Sequence, residues 1–289
     1  MTEVMSFKKI GIFSQVLFQE TVEIINDILS IEESSSFSFF LNPELFKFFT
    51  GTNPQASRDL HKASLENMSV DCIISIGGDG TILRIARTRP NIPILSINKG
   101  RKGFMTEIEP REVISSFKDF LKGKFNLEEH RCIEALIGEQ QLGVAINEIL
   151  ITSVDLLKPI DFRLLVDGVV TCGSLADGVI VATAVGSTGH CLSSGGSLID
   201  PSLDNLEISW INPINLSIRP IILASIRNIK IRCATRINPV KLVFDGQISL
   251  EYDSPIEVSF RPSKETVKFF RSKHFTSRWR HHLLPDIRE

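Results

Sequence analysis

A chain of 289 residues is long enough for one large domain or two modest ones, and its 43% apolar and 23% charged residues exclude disorder as the default state. The 32 Lys and Arg stand against 34 Asp and Glu, so the whole-chain field is too weak to make nucleic acid or a membrane surface the main partner. No apolar run approaches the roughly 20 residues that span a bilayer or the core of a secretory signal, and Cys72, Cys132, Cys172, Cys191 and Cys233 form no CxxC pair, so a soluble, reduced, cytoplasmic protein is expected.

Residues 8–13 predict a first strand, and residues 17–29, apolar at helical spacing, predict a helix. A Ser-rich turn and a Phe-rich strand are expected over 31–42. Residues 50–64, which mix Gly51, Asn53 and Pro54 with Ser and Thr, predict a loop. A buried strand over 70–76, a helix over 81–89 and a strand over 92–97 follow. Short apolar runs thus alternate with helix-length segments, as in a parallel sheet with crossover helices. Residues 107–123, with Pro110 and a short amphipathic helix, predict a hinge.

From about Leu127 the signal changes to strands separated by turns, over 143–152, 161–166, 179–183, 218–223, 229–233, 240–244 and 256–260. Asp167-Gly168 and Asp245-Gly246 are dipeptides that tight hairpins favour. The expected fold class is an α/β N-terminal domain with a parallel sheet over 1–110, then a β-rich, antiparallel β-sandwich-like C-terminal domain over 125–270. A basic C-terminal tail over 271–289 completes the chain. From Arg261 onward eight Lys and Arg accompany three Asp and Glu, which reads as a solvated face, with a subunit contact or a phosphate-facing tail as alternatives. His281 and His282 are adjacent rather than at i, i+4, and no metal site is assigned to them.

Three stretches concentrate the chemistry. Gly77-Gly78-Asp79-Gly80-Thr81 lies between a strand and a helix, where free backbone N–H groups and the positive end of the helix suit a polyphosphate. Asp79 would repel phosphate there, so it is expected to meet a metal, a hydroxyl or the proton of an attacking alcohol. Asn147-Glu148 can read the hydroxyl pair of a ribose, because both side chains offer acceptors and Asn adds donors. Asp177-Gly178, a strand, and then Gly186-Ser187-Thr188-Gly189-His190-Cys191-Leu192-Ser193 place hydroxyl side chains at a helix start, where they cap it or bind a ligand. No GxxxxGK[ST] is present, which excludes a P-loop kinase, and no GxGxxG follows the first strand.

The order of these motifs, ending in Asp245-Gly246-Gln247, resembles the NAD kinase family over residues 70–247. Asn98-Lys99-Gly100-Arg101-Lys102-Gly103-Phe104 looks like that family's Asn-x-Gly-x-x-Gly-Phe turn. The resemblance implies the two-domain NAD kinase fold and transfer of the γ-phosphoryl group of ATP to the 2′-hydroxyl on the adenosine side of NAD, with Mg²⁺ as the expected cation and no metal ligand assigned. It implies Asp79 as catalytic base, a carboxylate of ordinary basicity sufficing if position is right. Asp79, Gly80, Asn147, Glu148, Leu175 and Asp177 would contact NAD, with Thr188, Gly189, His190, Cys191, Leu192 and Ser193 on the adenine side and Gln247 closing the site. Gly77, Gly78, Gly80 and Thr81 would face the ATP phosphates, joined by Arg84 and Lys158. A homodimer or homotetramer is also implied.

The chain departs from the family pattern in having Ala184, Val185, Gly189 and His190 where Pro, Thr, Ala and Tyr are usual. Leu175 stands where a basic residue is common, and the segment after Pro213 lacks a histidine. A lipid (diacylglycerol-type) kinase sharing the Gly-Gly-Asp-Gly-Thr turn and a non-catalytic NAD(P)-binding regulator are the alternatives. The first would carry an Asn-Glu pair just after the turn, where Ile82-Leu83-Arg84 stands here.

Overall fold

The computed structural model describes residues 7–53, 59–99, 103–155, 158–235, 239–277 and 279. Pro54, Gly100, Arg101, Lys102, His281 and His282, all read above, lie outside the described residues. The chain forms two compact units, one made of the described residues up to Glu129 together with those from Val267, the other of His130–Thr266.

In the first unit β1 (Lys9–Phe13), α1 (Gln19–Ser30), β2 (Ser38–Leu41), α2 (Pro43–Thr52), β3 (Leu60–Lys62), β4 (Cys72–Gly77), α3 (Asp79–Thr88), β5 (Pro93–Asn98) and α4 (Val113–Leu121) follow in order. The five strands pair in parallel in the order β5-β4-β1-β2-β3. A doubly wound sheet of this order opens a crevice where it reverses direction, at the carboxyl ends of β1 and β4. Ile10, Ile12, Ile74, Ile76, Leu95 and Ile97 from the strands pack with Val22, Ile25 and Ile28 of α1 and Phe117 and Phe120 of α4. The buried residues of α1 recur three and four apart, which is why the apolar spacing of this stretch reads as a helix.

Two expectations are corrected here. The loop predicted over 50–64 begins inside α2, whose Asn42-Pro43 start is a helix-entry signal and whose Leu45 and Phe49 are both fully buried. The same stretch also contains β3. The hinge predicted over 107–123 is instead part of the first unit, because Val113, Phe117 and Phe120 of α4 lie in its core.

In the second unit β6 (Asn126–Ile137), which starts in the first, leads to β7 (Gln140–Ala145), β8 (Glu148–Ser153), β9 (Ile160–Val166), β10 (Val169–Ala176), β11 (Gly178–Thr183) and the single turn α5 (His190–Ser193). Then come β12 (Asn205–Ile211), β13 (Ile221–Ala224), β14 (Ile229–Ala234), β15 (Val240–Phe244), β16 (Ile248–Tyr252) and β17 (Ile256–Arg271). One antiparallel sheet runs β13-β12-β11-β8-β15-β16, and in the other β10, β9, β14 and the first residues of β17 lie side by side. Ile149, Ile151, Val179 and Val181 of the first sheet share one core with Phe162, Leu164, Ile229 and Ile231 of the second, so this unit is a sandwich. The expected hairpins form: Asp167 and Gly168 join β9 to β10, Asp245 and Gly246 join β15 to β16, and all four have positive φ.

Strands β6, β10, β12 and β16 lie outside the expected strand ranges. The stretch 143–152, read as one strand, is two, and β17 runs eleven residues past the expected end at Phe260. Its last residues join the first unit, where Lys268 and Phe269 pair in parallel with Pro93 and Ile94, and Phe270 enters the core. Arg271, the start of the expected basic tail, lies in the segment read as a solvated face from Arg261 onward, yet it is only 5% exposed.

Candidate active site

Gly77 ends β4 and Gly78 precedes α3, so Asp79 occupies the first helical position at the reversal point of the parallel sheet. Its carboxylate accepts two backbone hydrogen bonds, from the Phe104 N–H to Oδ2 and from the Met105 N–H to Oδ1, both at 3.1 Å. Gly103 permits this approach, since a Cβ there would collide with Oδ1. Burial pushes the Asp79 carboxyl above the usual carboxylate range, while the Met105 and Phe104 N–H groups and the Arg271 guanidinium pull the other way. Asp79 therefore holds its proton more tightly than a carboxylate of ordinary basicity. Arg84, one turn along α3, is exposed and lies 5.8 Å over the Phe13 ring at the carboxyl end of β1.

In the second unit the strand break at Ile146-Asn147 has a physical cause. Asp245, buried at the β15–β16 hairpin, accepts the N–H groups of Ile146, Asn147 and Glu148 at 2.7–3.2 Å, and these groups are lost to the sheet ladder. The two side chains of the break are thereby held in place. Asn147 Oδ1 and Glu148 Oε2 are buried and have no hydrogen-bond partner among the described residues. Burial, with Asp245 close by, pushes the Glu148 carboxyl up to about 7, partly offset by the His190 N–H.

The segment after β11 folds over this break. The Thr183 N–H donates to Asn147 O at 2.8 Å, and Thr183 Oγ1 donates to Ile146 O at 2.7 Å while accepting the Gly186 N–H. A Cβ at Gly189 would lie 2.7 Å from Glu148 Oε2, so glycine leaves the carboxylate room beneath the entry to α5 without displacing it. Underneath, Glu207, fully buried, accepts the Cys191 thiol at 3.2 Å and the Ser197 N–H at 2.6 Å, which ties both ends of the α5 loop to β12. Of the two roles expected of Ser187 and Thr188, capping a helix or binding a ligand, the first is not taken up. Their hydroxyls donate back to Ala184 O and Val185 O, and Ser187 is fully buried.

Comparison with known proteins bears on both units. Residues 21–125 match the ATP-NAD kinase N-terminal domain, and residues 146–272 match the ATP-NAD kinase C-terminal domain. The chain belongs to the NAD kinase family. An NAD kinase of Methanothermobacter thermautotrophicus is 32% identical over 279 residues, 96% of each chain, and one of Pyrococcus abyssi is 39% identical over 211 residues, 72% of this chain and 76% of that one. A crystal structure of an NAD kinase from Archaeoglobus fulgidus in complex with ATP superposes with a TM-score of 0.74 at 26% identity, covering 95% of this chain and 97% of that one. The fold also matches yeast NADH kinase complexed with NADH, with a TM-score of 0.83 at 21% identity over 98% and 89% of the two chains. These matches lend no support to the lipid-kinase or regulator alternatives.

Of the residues that the NAD kinase resemblance singled out, the structure gathers Asn147, Glu148, Thr188, Gly189, His190, Cys191, Leu192, Ser193 and Gln247 at one end of the six-stranded sheet. Cys191 is fully buried against Ile180 and Ala182 and supports the loop from below. Gly77, Gly78, Asp79, Gly80, Thr81 and Arg84 form the separate turn and helix of the first unit. Leu175, Asp177 and Lys158 are not brought to the Glu148 cluster. Gly178 pairs with Thr152 and Ala182 with Glu148, so Asp177 lies at the opposite end of β11, roughly 17 Å away at the usual rise per residue. There Asp177 accepts from Asn212 Nδ2 at 2.8 Å, Leu175 is exposed, and Lys158 pairs with Asp155 at 3.7 Å. Sequence reasoning missed Asp245 and Glu207 as site-building residues. Asp245 was visible as a turn residue and as part of the closing Asp-Gly-Gln motif, with no role of its own, and Glu207 is one acidic residue in an apolar strand.

Proposed function

We propose that this chain transfers the γ-phosphoryl group of MgATP to the 2′-hydroxyl of the adenosine ribose of NAD, giving NADP and ADP. Membership of the NAD kinase family supports the reaction, and one observation carries the assignment of its base. Asp79 is a half-buried carboxylate at the start of α3, oriented by two N–H groups and pushed above its ordinary pKa. The 2′ oxygen forms its bond to the γ phosphorus as the bond to the β-bridging oxygen of ATP breaks, and Asp79 takes the hydroxyl proton. A transition state this loose needs alignment more than early deprotonation, and a raised pKa strengthens the base at the moment the proton moves. The positive end of α3 and the Gly77–Gly80 backbone favour the phosphates.

Asn147 Oδ1 and Glu148 Oε2 offer acceptors to the hydroxyls and amide of the dinucleotide, which explains two buried oxygens left without partners among the described residues. The divalent cation enters as part of the substrate, because Mg²⁺ keeps several waters and takes phosphate oxygens rather than a protein cage as ligands. Among the described residues no group of three or more His, Cys, Asp or Glu is placed to hold a metal. A reducing, cytoplasmic setting and a homo-oligomer belong to this reading. Five free cysteines support the first, and the exposed edge strand β10 offers a surface for the second, which sedimentation tests.

Purified protein given MgATP and NAD yields NADP, and Asp79→Asn lowers kcat by about 10²- to 10⁴-fold while NAD affinity changes little. NAD binding without turnover in the unaltered chain, or phosphorylation of a lipid and not of NAD, overturns the proposal.

A further inference from the structure

Behind the loop that orients Asp79 lies a buried ion pair that no motif predicted. Arg271, at the end of β17, donates from Nη1 to Met105 O at 2.8 Å and to Glu107 Oε2 at 3.3 Å. Its guanidinium carbon sits 4.6 Å over the Phe269 ring. Glu107, with no exposed side-chain surface, accepts from the Ser272 N–H, the Ser272 hydroxyl and the Lys273 N–H, each at 2.8 Å. Met105 O takes a further bond from Ser96 Oγ at 3.1 Å. The carbonyl of Met105 is thus gripped from β5 and β17, while the N–H of the same residue donates to Asp79 Oδ1.

We propose that Arg271, paired with Glu107, is a positioning residue for Asp79: it fixes Met105, and through it the N–H groups that set the direction of the base. This rests on the reading of Asp79 as base. A guanidinium suits the task because one nitrogen, Nη1, meets the carbonyl and the carboxylate while the group's flat face lies over the Phe269 ring, a packing that a compact ammonium does not reproduce. Two charges removed from water are poor candidates for simple stabilisation, since an apolar pair of similar volume often serves the fold as well or better. Retaining the pair at this loop is explained by the precision that phosphoryl transfer demands, where a displacement of about 1 Å can cost about 10²-fold in rate.

The test uses the full chain with MgATP and NAD, comparing Arg271→Met, Arg271→Lys and Glu107→Gln by kcat, KM, the pH profile of kcat and thermal melting, with Asp79→Asn alongside. Arg271→Met is expected to lower kcat by about 10²-fold with KM for NAD nearly unchanged. It also moves the acid limb of the kcat profile to higher pH, because a cation that lowers the Asp79 pKa has gone. Arg271→Lys returns the limb toward its original position and recovers part of the rate. A purely structural role would lower the melting temperature and leave the limb in place. A folded Arg271→Met enzyme with unaltered kcat and limb overturns the inference. If Arg271→Met does not fold, Glu107→Gln decides, and an unchanged kcat there overturns it equally. Full activity in Asp79→Asn would instead remove the base itself, whereas an inactive Asp79→Asn beside a fully active Arg271→Met removes only the role given to Arg271.

Discussion

Glu148 is held where its charged form is disfavoured, and the sign of that effect can be measured. Its carboxyl stands at about 7 against an ordinary 4.5, so the folded chain holds this proton more tightly than the unfolded one does. The resulting stability is fully present below pH 4.5 and is lost as the pH rises through 7. Glu148→Gln removes the titration. At pH 8 the variant is expected to be more stable than the unaltered chain by up to about 3 kcal/mol relative to the difference at pH 5, read from thermal unfolding at the two values. Asp245→Ala has a different signature, because it leaves the Ile146, Asn147 and Glu148 N–H groups without their acceptor and removes a like charge from beside Glu148. A loss of about 3 kcal/mol, a raised KM for NAD and a lower apparent Glu148 pKa are expected together, from denaturant melts and pH-resolved kinetics. Gly77–Thr81 could be read from sequence because strand, turn and carboxylate are contiguous. Asp245 could not, since its N–H partners lie 97 to 99 residues earlier and only the folded hairpin brings them together.

At the level of elements, the alternation of apolar runs and helices in the first unit was legible because each strand and its crossover helix are local in sequence. The parallel order β5-β4-β1-β2-β3 that puts Asp79 at a reversal point was not, because strand order is set by long-range pairing. Helix α2 shows how local signals compete: Gly51 and Asn53 near its end mask a start at Asn42-Pro43. Phe49 is fully buried in the core, so Phe49→Ala is expected to cost about 3–5 kcal/mol, measured by urea unfolding, without altering the KM for NAD. The six residues of β11 separate Asp177 from the Glu148 end, a distance hidden in sequence because both motifs flank the same strand.

For the whole molecule, the decisive fact is that the first unit is discontinuous in sequence. Val267, Phe269, Phe270 and Arg271 belong to it although the entire second unit lies between them and Glu129. A chain ending at Thr266 keeps the pairing of β14 with β17, from Ile229↔Phe260 to Cys233↔Ile256, but strips Phe270 from the other core. Such a truncation is expected to form no NADP and to yield a protease-resistant fragment confined to the second unit, which limited proteolysis with mass analysis reads directly.

The same discontinuity has a consequence during translation. Ribosomes deliver residues in order at about 5–20 per second, and the strands of the sandwich emerge complete before the segment that seals the parallel sheet is made. The nascent polypeptide therefore carries Asp79 through the synthesis of the whole second unit without the arginine that braces its loop, and phosphotransfer becomes available only after Arg271 has emerged.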